Sequence, residues 1–252
     1  MTSFLSVSRH IDLYHVGMQA AESVIEALAR VSLFAELDRS TLERLASRVR
    51  ARRFRRGEVL FHQGDPGDSL FIVASGAVKI VLPSEDGDEA ILTTVRPGEF
   101  FGELALLDGA TRSATAIALE GTETFVLPRA SFRELIDSDP GARDRLLAAL
   151  AAELRRLTRH VEELHFLDMT GRLAARLAHL AEEAGQAGEA QPAGEIRLAG
   201  PFTQGDLGAM IGATRQSVNK LLGAFVDDGL IRLDRDAIVI LDLPRLSQAA
   251  HR

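Results

Sequence analysis

Glu103 and Arg112 are opposite charges set among apolar residues, with Gly102 before the acid and Ser113 after the base. Gly102 allows the backbone to come close to a ligand. Leu104 and the residues up to Leu107 are good helix formers. A short helix is therefore expected just after Gly102, with its free N–H groups available to an anion. Glu103 can accept hydrogen bonds from a pair of sugar hydroxyls, and Arg112 offers a planar fork suited to a phosphate. Sugar and phosphate together make a nucleotide site. A buried Glu–Arg ion pair that only ties down a loop is the competing reading of either residue alone. The whole pattern favours a ligand, because a buried pair is costly and needs a reason to exist.

A second set of polar residues lies at 203–222. Thr203 and Thr214 stand where each could cap a short helix, on either side of a glycine turn. Leu207, Ile211, Val218, Leu221 and Leu222 supply a buried face, which leaves Arg215, Gln216, Asn219 and Lys220 pointing the other way, with Ser217 between them. A helix-turn-helix presents such side chains from the start of its second helix to the major groove. Arginine can read guanine bidentately and glutamine can read adenine. A small bundle with a solvated polar face is the competing reading. The capped pair, the central glycine, the basic residues and the strands that follow favour DNA.

The elements that must position these two sets follow from pattern. Val24, Leu28 and Val31 have helical spacing from Gln19 onward, and residues 1–18 have no clear period. Ser40, Thr41 and Glu43 read as a capping box over Leu42, Leu45 and Val49. The arginines between Arg48 and Arg56 read as a solvated helix end running into a strand rather than a nucleic-acid patch. Strand-like runs at 59–61, 70–73, 77–81, 90–95 and 124–127 alternate with turn signals, which suggests a jelly roll. Gly57, Gly64, Gly67 and Gly76 read as turn glycines without a ligand role. A short helix is expected at 131–136. A long one starts at Asp139-Pro140, where Leu147, Leu150, Leu154, Leu157, Val161 and Leu164 follow in alternating steps of three and four. That heptad seam predicts a two-stranded coiled coil and hence a homodimer. Leu173, Leu177 and Leu180 mark the next helix, to about residue 184. Residues 185–200 read as a loop and hairpin, with a short strand at 195–198. Residues 230–233 and 237–241 read as a two-stranded wing.

Bulk properties narrow the field. The chain has 252 residues, 46% hydrophobic and 26% charged, enough for two domains and a connector. It has no cysteine, so disulfides and cysteine-held metal clusters are excluded. No apolar run spans a membrane and no signal peptide is evident, so a cytoplasmic protein is expected. The net charge of −7 predicts weak non-specific DNA binding.

Residues 100–115 resemble the phosphate-binding cassette of cyclic-nucleotide-binding domains. Residues 203–241 resemble the winged helix-turn-helix of CRP/FNR regulators, and 166–172 resemble the hinge between their dimer helix and DNA domain. The resemblance implies an α+β architecture: an N-terminal extension (1–22), a cyclic-nucleotide jelly roll (23–138), a dimerisation helix (139–168) and a winged helix-turn-helix domain (169–252). It implies Gly102, Glu103, Leu104, Arg112 and Ser113 at the nucleotide, with Thr158 near the base. It implies cAMP as effector, no metal, and Thr203, Thr214, Arg215, Gln216, Ser217, Asn219 and Lys220 at DNA. The expected partners are a palindromic duplex, a second copy of the chain and RNA polymerase, with no enzymatic activity. Two departures stand out. A well-known member of the family has glutamate where Gln216 stands, which puts the family's usual half-site in doubt. The cAMP-responsive members have two small polar residues where this chain has Leu157 and Thr158, so some DNA binding without cAMP is expected. The alternatives are the same fold with another effector or none, haem on His62, His160 or His165 included, or a regulatory subunit that does not bind DNA.

Overall fold

The computed structural model describes residues 22–85, 87–186, 195–200, 202–235 and 237–250. The expected extension at 1–18, Gln19 and most of the 185–194 loop lie outside the described residues. The chain forms two compact units, 1–80 with 94–151, and 81–93 with 152–252.

The first unit opens with helix α1 over 22–29 and α2 at Arg39–Ala46. The cap of α2 is Asp38, not the predicted box starting at Ser40. Asp38 accepts from Thr41 N at 2.9 Å and from Ser40 Oγ at 2.5 Å, so Ser40 lies inside the first turn, while Glu43 pairs with Arg39. Residues 50–128 hold the strands β1 (Arg50–Phe54), β2 (Val59–Phe61), β3 (Ser69–Ser75), β4 (Val78–Pro83), β5 (Glu89–Val95), β6 (Phe100–Phe101), β7 (Thr115–Ala118) and β8 (Thr122–Pro128). They form two four-stranded sheets, ordered β1-β8-β3-β6 and β2-β7-β4-β5, with α3 (Glu103–Asp108) between β6 and β7. This is the expected jelly roll. Strand β6 was not expected, because two residues are too short to show a period.

The period of two along β3 sorts its side chains. Phe71 and Val73 join Phe54, Val78, Phe101 and Ala116 in one core, while Leu70 and Ile72 join the helices in another. Both faces are covered, so β3 is buried almost throughout. The helical core includes Phe34 from the turns after α1, and Phe132 and Leu135 from α4 (Arg129–Ser138). Fully burying Phe34 or Phe132 contributes about 1.5–3 kcal/mol each. The arginine run is a solvated edge strand, as expected: Arg53 pairs with Glu123 at 3.3 Å, Arg48 with Glu134, and Arg52 lies over the Phe54 ring.

Helix α5 spans Pro140–Phe166, with Asp139 Oδ1 accepting from Ala142 N at 2.8 Å. Ala142 and Leu146 face the core. Leu147, Leu154, Val161 and Leu164 are 57%, 66%, 52% and 40% exposed, while Leu150 and Leu157 are half-buried.

In the second unit α6 (Met169–Gln186) buries Leu173, Leu177 and Leu180, as their spacing predicts. Then come β9 (Ile196–Ala199), α7 (Gln204–Ile211), α8 (Arg215–Asp227), β10 (Ile231–Leu233), β11 (Ala237–Ile240) and α9 (Leu243–Ala249). The wing has three strands rather than two, ordered β10-β11-β9, because the short strand expected near 195–198 pairs with the free edge of β11. Helix α9 was missed. Its signal was present, with Asp242 as cap, Pro244 in the first turn and Leu246 wholly buried.

Candidate functional site

Arg112 is 4% exposed, between the turn at 64–68 and the start of α3. Its Nη1 donates to Gly102 O and its Nη2 to Ser69 O, both at 2.8 Å. The guanidinium carbon lies 4.3 Å from the centroid of the Phe61 ring and 5.6 Å from that of Phe71. Its backbone is held too: Arg112 N donates to Asp65 O, and Gly64 N to Arg112 O, both at 2.9 Å. The Nε–H is buried without a hydrogen-bond partner among the described residues. Burial pushes the guanidinium's pKa down, and the nearby Asp68, Glu103 and Asp65 carboxylates pull it back up. A cation so placed favours an anion that can reach the idle donor.

Gly102 is the residue before α3, at φ +85°, in the left-handed region that favours glycine. It puts Glu103 at the first helical position, half-buried, with Leu104 beside it exposed. Ser113 is exposed next to Arg112. Arg133 and Arg129 hold the other end of α3, donating to Leu107 O at 2.7 Å and Leu106 O at 3.4 Å. The sequence missed the wall of the site: Phe61, Phe71, Ser69 and Gly67. Gly67 is more than a turn residue. A methyl group on it would collide with Ala105 Cβ and come within 3.5 Å of Arg112 Nε. The clue was a double-glycine, acid-flanked turn running straight into an apolar strand.

Thr158, expected near the base, is exposed on α5 and its hydroxyl donates to Leu154 O at 3.0 Å. Among the described residues no group of three or more His, Cys, Asp or Glu side chains could hold a metal. Nor is any helix among them long and apolar enough to cross a membrane.

The second set of residues divides by role. Thr203 and Asp206 form a reciprocal capping box on α7, and Thr214 Oγ1 accepts from Ser217 N at 3.1 Å to cap α8. These hydroxyls set the helix starts. Arg215, Gln216, Asn219 and Lys220 are exposed together on the first turns of α8, over buried Val218 and Leu222. Leu221 is half-buried. Gly212 makes the turn between the helices at φ +68°.

Arg172 ties this pair to the end of α5. Its Nε donates to Leu167 O at 3.0 Å, Nη2 to Leu164 O at 3.3 Å and Nη1 to Ile211 O at 3.2 Å. Asp168 caps α6 through Gly171 N at 2.8 Å.

Two family models match the chain: a cyclic nucleotide-binding domain over residues 51–139 and a Crp-like helix-turn-helix domain over 171–249. The chain is 35% identical over 225 residues to a CRP-like cAMP-activated global transcriptional regulator of Mycobacterium tuberculosis, covering 89% of this chain and 99% of that one. It is 32% identical over 218 residues to a cyclic AMP receptor protein of Thermus thermophilus, covering 86% and 96%. Among solved structures, a CRP/FNR-family transcriptional regulator from Thermus thermophilus is similar at a TM-score of 0.64 and 30% identity, covering 81% of this chain and 99% of that one.

Proposed function

The chain belongs to the CRP/FNR family of transcription regulators; it is a DNA-binding regulator with a cyclic nucleotide-binding domain, not an enzyme, and from that premise we propose that its effector is cAMP. The observation that carries this reading is the buried Arg112 with its unpartnered Nε–H, beside Glu103. In this reading Arg112 and Ser113 hold the cyclic phosphate, Gly102, Glu103 and Leu104 the ribose side, and Thr158 the base. Calorimetry with cAMP, cGMP and 5′-AMP tests it. Tightest binding of cAMP is expected, and equal binding of 5′-AMP would count against the cyclic phosphate as the recognised group.

The regulator acts as a homodimer along the leucine face of α5 and binds a palindromic operator. The domain bounds of this reading are 1–22, 23–138, 139–168 and 169–252. Arg215, Gln216 and Lys220 read bases, and Thr203, Thr214, Ser217 and Asn219 support or share the contact. Two recognition helices one duplex turn apart, about 34 Å, suit such a site. RNA polymerase and a cytoplasmic setting follow for a regulator of this kind. The effector acts through its differential affinity for two states, so DNA must tighten cAMP binding by the same factor. Leu157 strengthens the seam without ligand, so part of the DNA affinity is present before cAMP arrives. Duplex affinity with and without saturating cAMP tests this, and a gain of roughly a hundredfold, well within the range of allosteric coupling, would overturn it.

A further inference from the structure

Gln204 is the first residue of α7, and Asn219 lies one turn beyond Arg215 on α8. Gln204 Nε2 donates to Asn219 Oδ1 at 3.3 Å. A carboxamide has one accepting end and one donating end. Reading adenine bidentately takes both, the oxygen for the N6 amino group and the nitrogen for N7. The oxygen of Asn219 is turned toward α7, which leaves the N–H donors as the end that faces a duplex.

We propose that Gln204 sets the base preference of Asn219, making it a reader of keto bases. A donor meets the O6 of guanine or the O4 of thymine; at that place adenine and cytosine present opposing amino groups, which leaves adenine its N7 alone and cytosine no acceptor. Gln204 is then a positioning residue acting through Asn219. The proposal rests on the reading that α8 enters the major groove. It also offers a physical source of sequence preference apart from Gln216.

The experiment is selection of random duplexes by the full-length protein in saturating cAMP, for wild type and the variants N219A, Q204A, Q204E and R215A. Arg215 and Asn219 are exposed and Gln204 is half-buried, and a melting curve for each variant checks that it is folded. Wild type is expected to prefer guanine or thymine at one position of each half-site by roughly three- to tenfold, the scale of one hydrogen bond. That preference disappears in N219A and in Q204A. In Q204E the new carboxylate can only accept, so Asn219 turns its nitrogen toward α7 and the preference swings to adenine or cytosine. If N219A alters the profile while Q204A and Q204E keep the wild-type preference, Gln204 plays no part and the proposal is overturned. It is overturned equally if N219A matches wild type. If R215A matches wild type in affinity and profile, α8 is not the reading helix and the proposal falls with that reading.

Discussion

Gly102 and Arg112 constrain each other: the carbonyl of Gly102 accepts from Arg112 Nη1 at 2.8 Å, and a methyl group on Gly102 would collide with that same nitrogen. Gly102 is also left-handed, at φ +85°. Gly102→Ala should therefore cost about 1–2 kcal/mol in backbone strain and push the guanidinium off its seat. The expected outcome is a lower melting temperature and a fall in cAMP affinity of roughly tenfold or more, on the scale of one charge-assisted hydrogen bond. Wild-type affinity in calorimetry would show that the seat is not where the nucleotide binds.

Removing Arg112 altogether is a poor test, because it is structural as well. Arg112→Ala strands the carbonyls of Gly102 and Ser69, at about 1–3 kcal/mol for each buried orphan. Arg112→Lys keeps a charge and one partner but loses the fork. The lysine variant should stay folded and lose roughly thirtyfold to a hundredfold in cAMP affinity, the scale of one or two charge-assisted bonds. Unchanged affinity in that folded variant would remove Arg112 from the phosphate site.

Much of this was legible before the structure, and the exceptions have physical causes. Leu173, Leu177 and Leu180 announced α6 because one buried face repeats at the helical period. Glu103 and Arg112 stood out because charges among apolar residues are rare, and Arg112 is buried in the structure. Ser40 misled, since Asp38 is an equally good cap and which of the two wins depends on where the chain leaves the preceding turn. That the strand expected at 195–198 joins the wing could not be read, because pairing of Ile238 with Leu198 is a long-range choice that no local pattern encodes. Phe61 and Phe71 look like ordinary core residues until the fold stacks a guanidinium against them. The Gln204–Asn219 bond joins two helices and has no signature in either.

The cap of α2 should be visible in acid. Hydrogen bonds from the Ser40 hydroxyl, then from Thr41 N and Thr41 Oγ1, lower the Asp38 pKa from 3.8 to about 2. A lowered carboxylate stabilises the fold above its unfolded value and loses that contribution as pH falls through the folded one. Asp38→Ala should therefore melt below wild type at neutral pH, and the gap should close between pH 3.8 and about 2. A gap that persists unchanged in acid would mean that the carboxylate charge is irrelevant to the cap.

Leu154 is 66% exposed on α5, in line with exposed Leu147 and Val161. A second copy of the helix would bury this row. Leu154→Glu should leave each protomer folded, because the side chain touches no core, but should place two carboxylates face to face in a parallel pair. Light scattering should show the mass halved relative to wild type, and the wild-type melting temperature should rise with protein concentration while the variant's does not. Equal masses for the two proteins would place the dimer interface elsewhere or nowhere.

Arg172 joins three carbonyls, two at the end of α5 and one at the end of α7. It is half-buried, so these bonds are partly shielded from water. Arg172→Met keeps the length and apolar stem but removes every donor, at about 0.5–1.5 kcal/mol for each bond lost. If effector binding reaches the recognition helix through the end of α5, this variant should bind cAMP as wild type does and DNA with lower affinity, and cAMP should change that DNA affinity less. By linkage, DNA should then tighten cAMP binding less as well, which calorimetry on the duplex complex measures independently. A variant with intact coupling in both directions would show that the signal does not travel through this guanidinium.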